Sequence, residues 1–183
     1  MPLIRFATAR SLFEAFPELT AKLTVAPTDE APIAFLQNLS AQAKFEDAVA
    51  FCAHLLPRRE AVWWGCGNVR AFLGDAVRDR NEGLRAAEAW VYEPTDQNRL
   101  AALGVGTRGD SSHPLTWLAL GAGWSGGTLN SHPKTPVPMP QYMTARATRI
   151  ATLLGARFIA LPERAPRFRA SIEEGIKLAE TGL

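Results

Sequence analysis

Trp63 and Trp64 stand side by side in a run, PRREAVWWGCGNVRAFL (57–73), whose apolar residues recur at helical spacing. Val62, Cys66, Val69 and Leu73 make one stripe. Trp63 lies beside it, and Trp64 is turned ~100° further round the helix. Burying both indoles requires neighbours on more than one side, so this helix is expected at the centre of a helical assembly. Gly65 and Gly67 each cost ~1 kcal/mol of helix propensity. Close approach of another helix is the expected compensation for both. Pro57 stops the preceding helix and is placed to open this one at its first turn.

The same periodicity recurs along the chain. Thr28 reads as an N-cap, with Asp29 and Glu30 in the first turn and Ile33, Leu36 and Leu39 on one face. Phe45, Val49, Cys52 and Leu56 fall at i, i+4, i+7 and i+11 of an amphipathic helix, with His54 off the stripe and expected at the surface. Asn81 and Thr95 cap two further helices, split by Pro94. A break is expected at GTRGDSSHP (106–114), followed by a helix with Trp117, Leu120 and Trp124 at core spacing. Met143, Ala147, Ile150 and Leu154 mark the face of another, and Pro162 and Pro166 set off the last, with Phe168, Ile172 and Ile176. The one strand candidate is PLIRF (2–6). The expected fold is all-α: one domain over residues 1–183, an irregular bundle of eight or nine helices. A helical-repeat arrangement is the runner-up, although no 34- or 40-residue self-similarity is present.

With a net charge of +2, the chain as a whole has no electrostatic need of nucleic acid or membrane as partner. Cys52 and Cys66 form no C-x-x-C pair, and His54, His113 and His132 complete no zinc pattern. Two buried thiols in a reducing cytoplasm are the expectation, with a disulfide between them as the alternative. No metal and no cofactor is expected. No apolar run reaches the ~20 residues of a membrane span, and Arg5, Arg10 and Glu14 interrupt the N-terminal segment. A cytoplasmic protein without membrane insertion is expected.

Residues 125–140 form the longest irregular segment, a Gly/Pro-rich loop with prolines at 133, 136, 138 and 140. Just inside it, GWSGG (123–127) spells G-x-S-x-G. A nucleophile elbow needs a strand before its serine and a helix directly after it. Here a helical pattern precedes Ser125 and a loop follows. The order serine–acid–histidine fails, since no acid lies between Ser125 and His132. His54, with Asp75 or Asp110, then Ser125 would imitate the chymotrypsin order, a chemistry usually built on β-barrels. The simpler reading ends a helix at Trp124, with Gly126 or Gly127 in the left-handed conformation that closes it. The prolines favour an extended path, suited to packing along the bundle or to docking on a partner. Pro133 and Pro136 make a lone P-x-x-P match. GVGTRGD (104–110) lacks the G-K-[ST] ending of a phosphate loop, and Glu173 and Glu174 diverge around a helix rather than pairing.

Charge is uneven. Between 134 and 177, eight basic side chains face only Glu163, Glu173 and Glu174. Arg146, Arg149 and Arg157 are spaced to share a helix side. Three readings stand: a solvated face, a dock for an acidic protein surface, or a phosphate-binding face for nucleic acid. Aromatic interleaving for single strands is thin, with Phe158 and Phe168 alone, so nucleic acid is the weakest of the three.

The runs LPRREAVWWGCGNVR, AAEAWVYEPTDQNR and WLALGAGWSGGTLNSHPKTPVPMPQYMTARA resemble an uncharacterised family of small proteobacterial proteins, some of whose members are encoded near type VI secretion genes. The likeness covers residues 50–155. Its most specific pieces are Trp63-Trp64, Trp90, Trp124-Ser125-Gly126-Gly127 and the prolines ending at Pro140. It carries no catalytic residue. It implies an accessory role, as adaptor or chaperone for secretion machinery or its cargo. Gly65-Cys66-Gly67 departs from an alanine-rich version and would loosen that helix. The expected function is a non-enzymatic, protein-binding module working through Trp124 and Pro133, Pro136, Pro138 and Pro140 of the loop, the Arg146/Arg149/Arg157 face, or both. A hydrolase using Ser125 and a nucleic-acid-binding protein are the alternatives.

Overall fold

A computed structural model describes residues 4–74, 81–129 and 135–183. Among these, nine α-helices follow in order: α1 (Ala9–Ala15), α2 (Pro32–Ala41), α3 (Phe45–Leu55), α4 (Arg58–Leu73), α5 (Glu82–Tyr92), α6 (Asp96–Arg108), α7 (Pro114–Gly123), α8 (Tyr142–Gly155) and α9 (Leu161–Thr181). Residues 17–19 and 156–158 are single 3-10 turns. The chain is an all-α bundle. Of the PLIRF segment, residues 4–6 form no strand, and 2–3 lie outside the described residues.

The caps follow from side-chain chemistry. Asn81 Oδ1 accepts from the Gly83 and Leu84 N–H groups, and Thr95 Oγ1 accepts from Asn98 N–H. Pro57 directly precedes α4, at its N-cap. Thr28 is not the cap of α2. That helix opens at Pro32, whose fixed φ suits the first helical position. Asp29 and Glu30 instead reach Arg10 (2.7 Å) and Asn38 (2.7 Å). The break before α7 is shorter than expected. Gly104 and Gly106 stay helical because α7 lies against α6, where a Cβ on Gly106 would fall 2.7 Å from the Leu120 side chain. His113 then caps α7 through Nδ1, which accepts from Leu115 N–H. Pro166 sits inside α9 rather than before it.

α4 packs on α5, α7, α8 and α9, the central place that its tryptophans require. Contacts such as α3 with α8 and α4 with α9 join segments far apart in sequence. A solenoid joins only neighbouring repeats, so this is a bundle. Trp64 is buried and donates from Nε1 to Ser171 O (2.7 Å). Trp63 is half-buried, edge-on to Tyr92. Cys52 and Cys66 are buried free thiols, and burial pushes both far up from their ordinary range.

Candidate functional site

The site is set by which face of α8 goes inward. Hydrophobicity points to Met143, Ala147, Ile150 and Leu154. The buried face is instead Thr144, Ala145, Ala147, Thr148, Ala151, Thr152 and Gly155, while Met143, Ile150, Leu153 and Leu154 are half-buried. The cause is close helix packing. Gly65 of α4 and Gly121 of α7 leave room only for small side chains opposite. Two of the three threonine hydroxyls find partners there: Thr144 Oγ1 donates to Gly121 O (3.0 Å), and Asn68 Nδ2 donates to Thr152 Oγ1 (3.3 Å), while Thr148 Oγ1 is buried without one. Only Ala147 of the expected stripe is in the core. The larger apolar residues are displaced outward.

There they floor a trough of about 500 Å³, lined by Ile150, Leu153, Leu154 and Phe168 and rimmed by Arg149, Arg157, Arg164 and Glu46. Phe168 is stacked on Phe45 (5.4 Å between centroids), and the Arg169 guanidinium lies over Phe45 in turn. Arg164 Nε donates to Ile159 O (3.1 Å), which holds it at the rim. Among the described residues, Arg149, Arg157 and Arg164 have no ion-pair partner.

A second cavity, about 280 Å³, lies on the other side of Arg149. Glu18, Lys22, His54, Tyr142 and Arg146 line it with Arg149. His54, expected at the surface, is 4 % exposed. α3 packs against α2, α8 and α9, so the polar flank of its stripe is covered as well. His54 Nδ1 lies 2.7 Å from Ala50 O, and Nε2 lies 3.6 Å from Glu18 Oε1. Burial acts to raise the Glu18 carboxyl, but the His54 ring and the Glu18 backbone N–H outweigh it and hold the group below its ordinary range.

The three expected arginines are therefore brought together in pairs. Arg146 and Arg149 share the smaller cavity, and Arg149 and Arg157 share the trough. Arg157 stands in the 3-10 turn after α8 rather than on it. Sequence reading missed Arg164, Phe168, Tyr142, Lys22 and His54 as neighbours of these arginines. The charge excess after residue 134 already contains Arg164, but Lys22 and His54 come from the far end of the chain and leave no local signal.

The described parts of the 125–140 segment, 125–129 and 135–140, are held at their base. Arg58 Nη1 donates to Ser125 O (2.6 Å), and Arg99 Nη1 donates to Gly123 O (3.2 Å) and Gly126 O (3.4 Å). The two limbs pair antiparallel: Leu129 N–H donates to Val137 O (2.7 Å) and Met139 N–H to Gly127 O (2.9 Å). Leu129, Val137, Pro136 and Pro138 are exposed, whereas Trp124 and Pro140 are half-buried. Trp124 is edge-on to Trp117. Pro133, Lys134 and His132 lie outside the described residues, as does Asp75. Gly127 is left-handed (φ +79°), but it does not close a helix: α7 ends at Gly123, and Ser125 N–H donates to Ala122 O. Gly127 turns the arm against the Arg99 guanidinium instead.

Ser125, His54 and Asp110 make no hydrogen bonds to one another. His54 faces Ala50 and Glu18, and Asp110 accepts from Ser112 N–H and Oγ. Among the described residues no cluster of three or more His, Cys, Asp or Glu could hold a metal, and no helix is long and apolar enough to cross a membrane.

Residues 35–179 match a family of unknown function, DUF6931, and the chain belongs to it. No curated protein and no solved structure matches the chain.

Proposed function

We propose that this chain is a non-enzymatic interaction module that docks an acidic, amphipathic segment of another protein along the outer face of α8. One observation carries the reading: an apolar trough whose rim holds three arginines and a single carboxylate, Glu46, with none of those arginines ion-paired among the described residues. The half-buried Ile150, Leu153 and Leu154 offer a floor for leucine-like side chains, and Arg149, Arg157 and Arg164 complement carboxylates on either flank. The floor favours protein over nucleic acid. Phe168, its one aromatic ring, is buried against Phe45 and so is not free to stack with a base.

The paired limbs at 127–129 and 137–139 are the second contact surface. Their base is clamped by Arg58 and Arg99 while Leu129 and Val137 face solvent. A clamped ribbon keeps its ordering cost low when it docks. In a cell the module serves as an adaptor or chaperone in the cytoplasm, and the resemblance in sequence points to secretion machinery or its cargo as the partner. Neither catalysis at Ser125 nor a metal or cofactor enters this reading.

Selection from a random peptide display library tests it. The wild-type protein enriches peptides with acidic residues and Leu, Ile or Phe at helical spacing, and their binding weakens steeply with salt. Arg157→Glu combined with Arg164→Glu abolishes the enrichment. Selected peptides without acidic bias, or binding indifferent to the double charge reversal, would sink the proposal.

A further inference from the structure

We infer that the cavity between residues 17–22, α3 and α8 is a binding site for a small, soluble phosphate monoester. The cavity, about 280 Å³, lies just below the ~300 Å³ floor for drug-sized ligands and so suits a smaller molecule. Lys22, Arg146 and Arg149 bring three cationic groups to it and Tyr142 a hydroxyl, against one carboxylate, Glu18. None of the three cations has an ion pair among the described residues, and Arg149 Nε is buried without a hydrogen-bond partner. This donor supply exceeds what the two oxygens of a carboxylate can use. A phosphate monoester offers three oxygens and a charge of about −1.5 to −2 at neutral pH, which matches three cations better.

Two further polar atoms of the lining lack partners. The Ala50 carbonyl can only accept, so His54 Nδ1 carries a proton and Nε2 is the ring atom left for a ligand. That Nε2 and Glu18 Oε1 stand 3.6 Å apart, both buried and both without a hydrogen-bond partner. A ligand hydroxyl, donor and acceptor at once, satisfies both atoms. A phosphorylated polyol supplies both halves, its phosphate toward Arg146, Arg149 and Lys22 and a hydroxyl toward His54 and Glu18. The site shares only Arg149 and Ile150 with the trough and does not rest on peptide docking.

Isothermal titration of the full chain with glycerol phosphate, inorganic phosphate, sulfate and glycerol tests this. Glycerol phosphate binds tightest, inorganic phosphate more weakly, and glycerol alone not at all. Arg149→Gln and Arg146→Gln each weaken glycerol phosphate by about tenfold, and Arg157→Gln leaves it unchanged. Arg146 is exposed, so its variant keeps the fold and decides the matter if Arg149→Gln does not. Absence of binding at millimolar ligand, wild-type affinity in both variants, or sulfate binding as tightly as glycerol phosphate overturns the assignment. A phosphoserine peptide that binds more tightly than glycerol phosphate overturns the small-molecule class.

Discussion

A Cβ placed on Gly65 would fall 2.7 Å from the Thr148 Cγ2 methyl and 2.9 Å from Leu118 Cδ2, whereas one on Gly67 would meet nothing within 4 Å. The two glycines of Gly65-Cys66-Gly67 thus do different things. The first sets the spacing between α4 and α8, and the second faces open space. Gly65→Ala gains ~1 kcal/mol of helix propensity but overpacks a core seam, a change that costs ~1–3 kcal/mol. Its net effect is destabilising. Gly67→Ala keeps the propensity gain and stabilises by up to ~1 kcal/mol. Urea denaturation of the two variants reads opposite shifts in midpoint, and a stable Gly65→Ala would show that α8 can move away.

The same seam explains what was legible in the sequence and what was not. Local signals succeeded where the cause is local: Asn81 and Thr95 cap helices through their own side chains, and Pro57 marks a helix boundary. The central place of α4 was legible because two adjacent indoles cannot share one face. The orientation of α8 was not. Its sequence offers two stripes, one larger and apolar, one of Ala, Thr and Gly, and hydropathy prefers the first. The choice was made by Gly65 and Gly121 on other helices, information that no window on residues 142–155 contains. His54 fails for the same reason, since a helix surrounded by α2, α8 and α9 is buried beyond its apolar stripe. The trough is a consequence of this inversion, so it was invisible until α8 was oriented.

Trp64 and Trp63 separate by their hydrogen bonding. Trp64→Phe removes the buried Nε1 donor and its bond to Ser171 O, a carbonyl inside α9, and leaves the smaller ring in a packed site, which costs ~1–3 kcal/mol. Trp63→Phe keeps a half-buried ring edge-on to Tyr92 and costs less than ~1 kcal/mol. Thermal unfolding of both variants distinguishes them. Equal losses would mean that packing volume, rather than the hydrogen bond, dominates at Trp64.

Arg99 ties the arm to the bundle. It is held in place by Asp96 (2.7 Å), and its Nη1 donates to two arm-base carbonyls. Arg99→Ala leaves those carbonyls to solvent and frees the limbs on either side of Gly127, while α6 and α7 remain packed together through Gly106 and Leu120. Amide exchange at Leu129 and Met139 accelerates, and limited proteolysis within 125–140 becomes faster. The melting temperature changes little, because the arm lies outside the core. Unchanged exchange at those two amides would assign the clamp to Arg58 alone.

Glu18 gives the fold an acid-side sensitivity. Its carboxyl is held below the ordinary value of 4.5 in the folded protein, despite the burial that opposes ionisation. A depressed carboxylate stabilises the fold above its unfolded pKa, and that contribution is lost as pH falls through the folded value. The wild type is therefore more stable than Glu18→Gln at neutral pH, and the difference shrinks once the pH drops below about 4.5. Denaturant titrations of both proteins at several pH values between neutrality and pH 3 measure it. A difference that stays constant across this range would mean that Glu18 acts by packing around His54 rather than by its charge.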